Sequence, residues 1–150
     1  MVVYNIRKSK YSSSLKASGV ANRWNKDDEF VIYTGGSISL STLELVAHRN
    51  AIDITLGYKL LFIGLKVDSD DISEINIEDL PPNWKSIESY PILQKIGSEW
   101  YNKKKSLILK VPSSLVHWES NYLINTSHPE FDKKVKISKS EDFTWDKRLL

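Results

Sequence analysis

The spacing of apolar and polar positions changes period several times along this chain of 150 residues, and each change predicts an element. Val2 to Arg7 opens with Val2-Val3-Tyr4, a run with β propensity that predicts a first strand. Lys8 to Lys16 is rich in serine and lysine, with Tyr11 and Leu15 one turn apart, and fits a short surface helix or an irregular loop equally well. Gly19 to Glu29 is a loop carrying Arg23-Trp24-Asn25. Phe30-Val31-Ile32-Tyr33 is apolar, β-branched and aromatic, so it predicts a strand that ends in a turn at Thr34-Gly35-Gly36. Ser37 or Ser39 then caps a helix by accepting a backbone N–H bond. Leu40, Leu43, Val46 and Ala47 fall on one face of that helix and predict its buried side.

Tyr58 to Val67 is nearly continuously apolar and predicts a central strand. Asp68-Ser69-Asp70-Asp71 closes it; without the spacing and glycine of a calcium loop, it reads as a solvated turn. Ile75 to Leu80 is a short strand or turn, ended by Pro81-Pro82. Pro91 begins a helix through Lys103, with Leu93, Ile96 and Trp100 as its apolar face and Gly97 as its weak point. Lys103-Lys104-Lys105 reads as a solvated helix end that complements the dipole. Ser106 to Val111 is a strand broken by Pro112-Ser113-Ser114, and Asn121 to Asn125 is a short strand framed by asparagines. His128 to Phe131 is a turn or short helix, Val135 to Ile137 a half-exposed strand, and Phe143 to Leu150 a tail that packs on the body. Strands dominate, so the expected class is α+β, one domain over residues 1–150 with a mixed sheet.

Charge changes this picture little. The 21 Lys+Arg against 19 Asp+Glu leave a net charge of +2, too balanced for general affinity towards nucleic acid or membranes. The absence of cysteine excludes disulfides and thiolate metal sites and is compatible with a reducing cytosol. The N-terminus lacks a basic segment followed by a long apolar stretch, so no signal peptide is expected. The most apolar run, Leu60 to Leu65, is far too short to span a membrane. A cytoplasmic location is therefore expected. His48, His117 and His128 share no metal-ligand spacing, and no Gly-x-Ser-x-Gly elbow or phosphate loop is present.

The strand, glycine turn and capped helix bring Tyr33 and Glu44 towards a common cleft, with His48 one turn beyond Glu44 and Arg23 arriving from the preceding loop. These residue types suit an anionic ligand with an aromatic portion. Glu44 has a second reading. Ser41-Thr42-Leu43-Glu44 matches the capping-box pattern, in which the glutamate satisfies a helix end. That reading starts the helix late and leaves Leu40 outside it.

Two blocks taken together carry a family resemblance. The first is Arg23-Trp24-Asn25, then Tyr33-Thr34, Leu43-Glu44 and His48. The second is Val111-Pro112-Ser113-Ser114, Glu119, Asn121-Tyr122-Leu123-Ile124-Asn125 and His128-Pro129. In order and spacing these resemble the RES-domain toxins, and the tail with Asp146-Lys147-Arg148-Leu149 resembles the family's end. Ala21-Asn22 departs from the glycines that commonly precede the Arg-Trp-Asn, and Thr126 departs from a common proline. The resemblance implies the toxin of a type II toxin–antitoxin pair that degrades NAD. It implies a fold similar to ADP-ribosyltransferase toxins, a small α+β body with a split sheet around an NAD cleft. It implies a helix-turn-helix (Xre-like) antitoxin partner, and NAD as substrate with no resident cofactor. Water, phosphate as co-substrate, or a protein would accept the ADP-ribosyl group. By carry-over, Arg23, Tyr33 and Glu44 are the catalytic set, and Arg23, Tyr33, Ser113 and Asn125 contact the substrate.

Overall fold

The computed structural model describes residues 1–150. In chain order the elements are β1 (Val2–Lys8), β2 (Val31–Gly35), α1 (Ile38–Val46), β3 (Tyr58–Leu65), β4 (Ile72–Glu74), α2 (Tyr90–Lys103), β5 (Ile108–Pro112), β6 (Ser120–Asn125), α3 (Phe131–Lys134) and β7 (Val135–Phe143). The strands form one seven-stranded sheet in the order β4-β5-β6-β2-β1-β3-β7. Only β4 and β5 are parallel, so the sheet is mixed and the class is α+β in a single domain. β1 and β2 meet through one residue pair, Tyr4 against Gly35, whereas β1 and β3 pair along their length from Val2–Gly64 to Lys8–Tyr58. The sheet is thus split into β4-β5-β6-β2 and β1-β3-β7, as the resemblance implied.

Strand alternation explains the two faces. Val31, Leu109, Val111 and Leu123 point to one side, where Leu93, Trp100 and Tyr101 of α2 cover them together with Trp24, Leu80 and Trp84. Ile32, Ile108 and Ile124 point to the other side, beside Val3, Leu61 and Ile63. Leu93 and Leu123 have no exposed surface, and each buried leucine contributes about 2 kcal/mol. A third cluster joins Ile6, Tyr58 and Leu60 to Leu45 of α1 and to Trp145, whose ring stands edge-on to Tyr58 and Phe143. The tail therefore packs on the body through Trp145.

Three expectations change, and one open alternative is decided. The buried face of α1 is Leu40 and Ser41, with Leu45 packed beside them, while Leu43 is exposed. The Ser41 hydroxyl donates to the Tyr4 carbonyl and ties that face to β1. α2 passes through Gly97 without a break because Gly97 serves close packing there. Ile75 to Leu80 is a turn containing a 3-10 segment at Ile77–Asp79; the short strand precedes it, at β4. Asp71 is not part of a solvated turn: it is buried and accepts two bonds from the Lys134 ammonium at 2.8 and 2.9 Å. That hydrogen bonding holds its carboxyl below the usual aspartate value.

Candidate active site

α1 begins where Ser37 accepts the Leu40 N–H at 3.0 Å. The first turn thus includes Leu40, and the capping-box reading of Glu44 is wrong. Gly35 lets this turn sit directly on the end of β2, since a Cβ there would lie 2.4 Å from Ser41 Oγ and 2.9 Å from Ser41 N. Glu44 then faces the cleft from the second turn of the helix.

The Glu44 carboxylate is gripped through one oxygen. Ser113 Oγ donates to Oε1 at 2.8 Å and Asn121 Nδ2 donates to the same atom at 2.7 Å. Oε2 has no protein partner. Asn121 Oδ1 is buried and also has none, although buried acceptors are ordinarily satisfied. Because Asn121 Nδ2 must face the carboxylate, Oδ1 is fixed as a free acceptor beside it.

Two adjoining hollows, of about 190 and 220 Å³, share Asn22, Tyr33, Glu44, His48 and Asn121 as lining. The first runs along Tyr4 and Asn5 of β1. The second reaches Arg23, Tyr90 and Ser114.

The three residues of the Arg-Trp-Asn motif diverge. Trp24 enters the core, 2% exposed. Asn25 knots the loop by donating through Nδ2 to the carbonyls of Val20, Lys26 and Glu29. Arg23 lies over the Tyr90 ring at 4.8 Å and donates through Nη1 to the carbonyls of Trp84 (3.3 Å) and Lys85 (3.0 Å). Its Nε and Nη2 have no protein acceptor, and no carboxylate pairs with it.

Tyr33 is placed at the cleft by its ring rather than by its hydroxyl. The hydroxyl donates to Asn25 Oδ1 at 2.7 Å and accepts the Trp24 N–H at 3.1 Å. Burial pushes its pKa above the usual tyrosine value, so it stays neutral. An acid–base role for Tyr33 is therefore not supported; it fixes the Arg23 loop and walls both hollows.

Two carried-over contacts move. Ser113 is fully buried, with Oγ also accepting the N–H groups of Leu115 and Val116 at 3.1 Å. It orients Glu44 and does not line either hollow, whereas Ser114 does. Asn125 lies outside the cleft: it is fully buried, donates to the Tyr101 carbonyl and accepts the Ser127 N–H, both at 2.9 Å. Alternation puts Asn121 and Asn125 on the same face of β6, but Asn125 lies under the end of α2 and Asn121 lies in the cleft. Asn121 is the residue that sequence reading missed, and its spacing from Asn125 held the signal.

The RES domain family model matches residues 2–146. A Photorhabdus laumondii protein named Toxin Res is 30% identical over all of this chain and 97% of its own length. A Sphingobium protein named Prs ADP-ribosylating toxin is 28% identical over 92% of this chain and 86% of its own. Among solved structures, a chain from the crystal structure of the M. tuberculosis MbcT–MbcA toxin–antitoxin complex superposes with a TM-score of 0.77 at 14% identity, covering 95% of this chain and 84% of that one. At that identity the likeness speaks for the fold alone. With a family match running almost end to end and a relative aligned over the whole chain, this protein belongs to the RES domain family.

Proposed function

We propose that the protein is a cytoplasmic toxin that cleaves the nicotinamide–ribose bond of NAD. The observation that carries this reading is the Glu44 carboxylate, held by Ser113 and Asn121 through one oxygen with the other open beside an orphan acceptor. Breaking the bond sends its electron pair to the pyridinium nitrogen, so nicotinamide leaves neutral and needs no general acid. Positive charge develops at the ribose C1′, as in glycoside cleavage. A fixed carboxylate stabilises that charge without reorganising. Asn121 Oδ1 accepts from the nicotinamide carboxamide N–H or from a ribose hydroxyl. The Tyr33 ring offers a face to the cationic nicotinamide. The free Nε and Nη2 of Arg23 suit the pyrophosphate as a planar fork. An acceptor lone pair then forms the new bond to C1′, and its proton passes to solvent.

Water, phosphate or a protein side chain can be that acceptor. Transfer to protein is the second reading, and the name of the Sphingobium relative favours it. Incubation with NAD, with and without phosphate, followed by mass spectrometry distinguishes them. Free ADP-ribose marks hydrolysis, ADP-ribose-1″-phosphate marks phosphorolysis, and a mass increment on a protein marks transfer. Intact NAD under every condition would leave a non-enzymatic nucleotide-binding domain as the better account.

Two variants separate binding from positioning. Arg23→Ala is expected to raise KM about tenfold or more, because a charge-assisted contact worth about 1.5–3 kcal/mol is lost. An unchanged KM would remove Arg23 from the substrate site. Ser113→Ala is expected to lower kcat by about tenfold and leave KM near the parent value, since Glu44 keeps the Asn121 bond but loses one restraint. A change confined to thermal stability would restrict Ser113 to capping its turn.

An NAD-cleaving toxin needs restraint in its own cell. The M. tuberculosis structure is that of a toxin–antitoxin complex, and a helix-turn-helix antitoxin that places a carboxylate near Arg23 fits the charge of this cleft. Competition for NAD between the free protein and such a complex tests occlusion.

A further inference from the structure

A third hollow shares Asn5 and Ile6 with the first. It is open to solvent, measures about 670 Å³ and is lined by Asn5, Arg7, Lys10, Lys16 and the serines Ser13, Ser14 and Ser18. Its cations have no counter-charge. Arg7 Nε donates to Asn5 Oδ1 at 2.6 Å, and Nη1 donates to the carbonyls of Tyr11 (3.3 Å), Ser14 (3.4 Å) and Lys16 (3.3 Å). All of these acceptors are neutral, and Nη2 has none. Burial lowers the Arg7 pKa from its usual value, with no carboxylate nearby to oppose the shift. Lys10 packs its ammonium 5.0 Å from the centre of the Tyr11 ring, and Lys16 Nζ has no partner. The Ser13 and Ser14 hydroxyls make no bond within the protein.

We propose that this hollow is a phosphate-binding site, with Arg7 Nη2 on the anion, the Lys10 and Lys16 ammonium groups around it, and the serine hydroxyls as neutral donors. The chemistry fits a phosphate group better than a carboxylate. A tetrahedral anion offers several acceptor oxygens to the donors that line the hollow, and arginine is suited to its geometry. Lysine adds point charge that acts over the width of the hollow. The bonds from Nη1 to Tyr11, Ser14 and Lys16 hold the loop in place, so the guanidinium is preorganised.

The site adjoins the cleft. Asn5 and Ile6 line both this hollow and the first one. Asn5 receives Arg7 through Oδ1 and donates through Nδ2 to the Tyr33 carbonyl at 2.9 Å, so one side chain links the anion site to the cleft wall. The proposal stands whether or not the cleft cleaves NAD.

The test is calorimetric titration of the full chain at low salt, without NAD, using inorganic phosphate and AMP as separate probes. Saturable binding of one equivalent is expected, weakened about tenfold or more when Lys10→Glu and Lys16→Glu are combined. Both lysines are exposed, so this variant keeps the fold, which circular dichroism checks. Arg7→Lys is expected to weaken binding as well by losing the fork. Reversing Lys103 and Lys105, exposed at the end of α2, is expected to leave binding unchanged. Phosphate binding as tightly as AMP identifies a free anion as occupant, and tighter AMP identifies a nucleotide phosphate. No saturable binding of either probe, or equal affinity in the Lys10/Lys16 variant and the parent, overturns the proposal.

Discussion

Glu44→Gln is expected to slow NAD cleavage by about 10²–10³-fold while leaving NAD affinity within a few-fold of the parent. The amide is nearly isosteric, and its oxygen can still accept from Ser113 Oγ and Asn121 Nδ2 in place of Oε1. What disappears is the negative charge. That charge matters little to a bound substrate and most when the ribose becomes cationic. Single-turnover kinetics and calorimetric binding separate these quantities. Helix stability is not at stake, since Ser37 supplies the N-cap. Turnover within threefold of the parent would falsify the electrostatic role of Glu44.

The second large effect lies far from the chemistry in sequence. Gly97→Ala is expected to destabilise the fold by about 2–4 kcal/mol. A Cβ at Gly97 would lie 1.6 Å from the Trp24 carbonyl oxygen and 2.7 Å from its carbon, both backbone atoms. Helix propensity alone gives the opposite sign, a gain of about 1 kcal/mol for alanine. Accommodation requires α2 or the Arg23-Trp24-Asn25 loop to move, so NAD affinity is expected to fall along with stability. Urea denaturation supplies the sign: a variant more stable than the parent would mean that the close approach is not a constraint.

The contrast between Gly97 and its prediction shows what a linear pattern contains. Gly97 weakens a helix locally, which sequence reveals; the carbonyl that demands it comes from Trp24, which sequence does not place. Most strands were legible because β-branched runs and their glycine or proline ends are local signals; β4, only three residues long, was not. The face of α1 was less so, because the hydrogen bond from Ser41 to Tyr4 decides its orientation and Leu43 looked equally suited to burial. Tyr33 and Glu44 were legible as neighbours from one strand–turn–helix unit, with Arg23 arriving from the preceding loop. Ser113 and Asn125 reached the candidate set through the family pattern, which gives positions without orientations. Only three dimensions place Ser113 behind Glu44, Asn125 beneath α2 and Asn121 in the cleft. The Arg7 hollow showed in the sequence only as the serine- and lysine-rich run from Lys8 to Lys16, which looks like ordinary surface.

The single Tyr4–Gly35 link between β1 and β2 has a cost and a use. With so little ladder between them, the half-sheets rely on side chains and on α1, which packs over both strands, to behave as one folding unit. The helix that fastens the halves also carries Glu44. Loosening that fastener would therefore disturb the aim of the Glu44 carboxylate as well. The aim of that carboxylate is in this sense a reporter of whether the seam is closed.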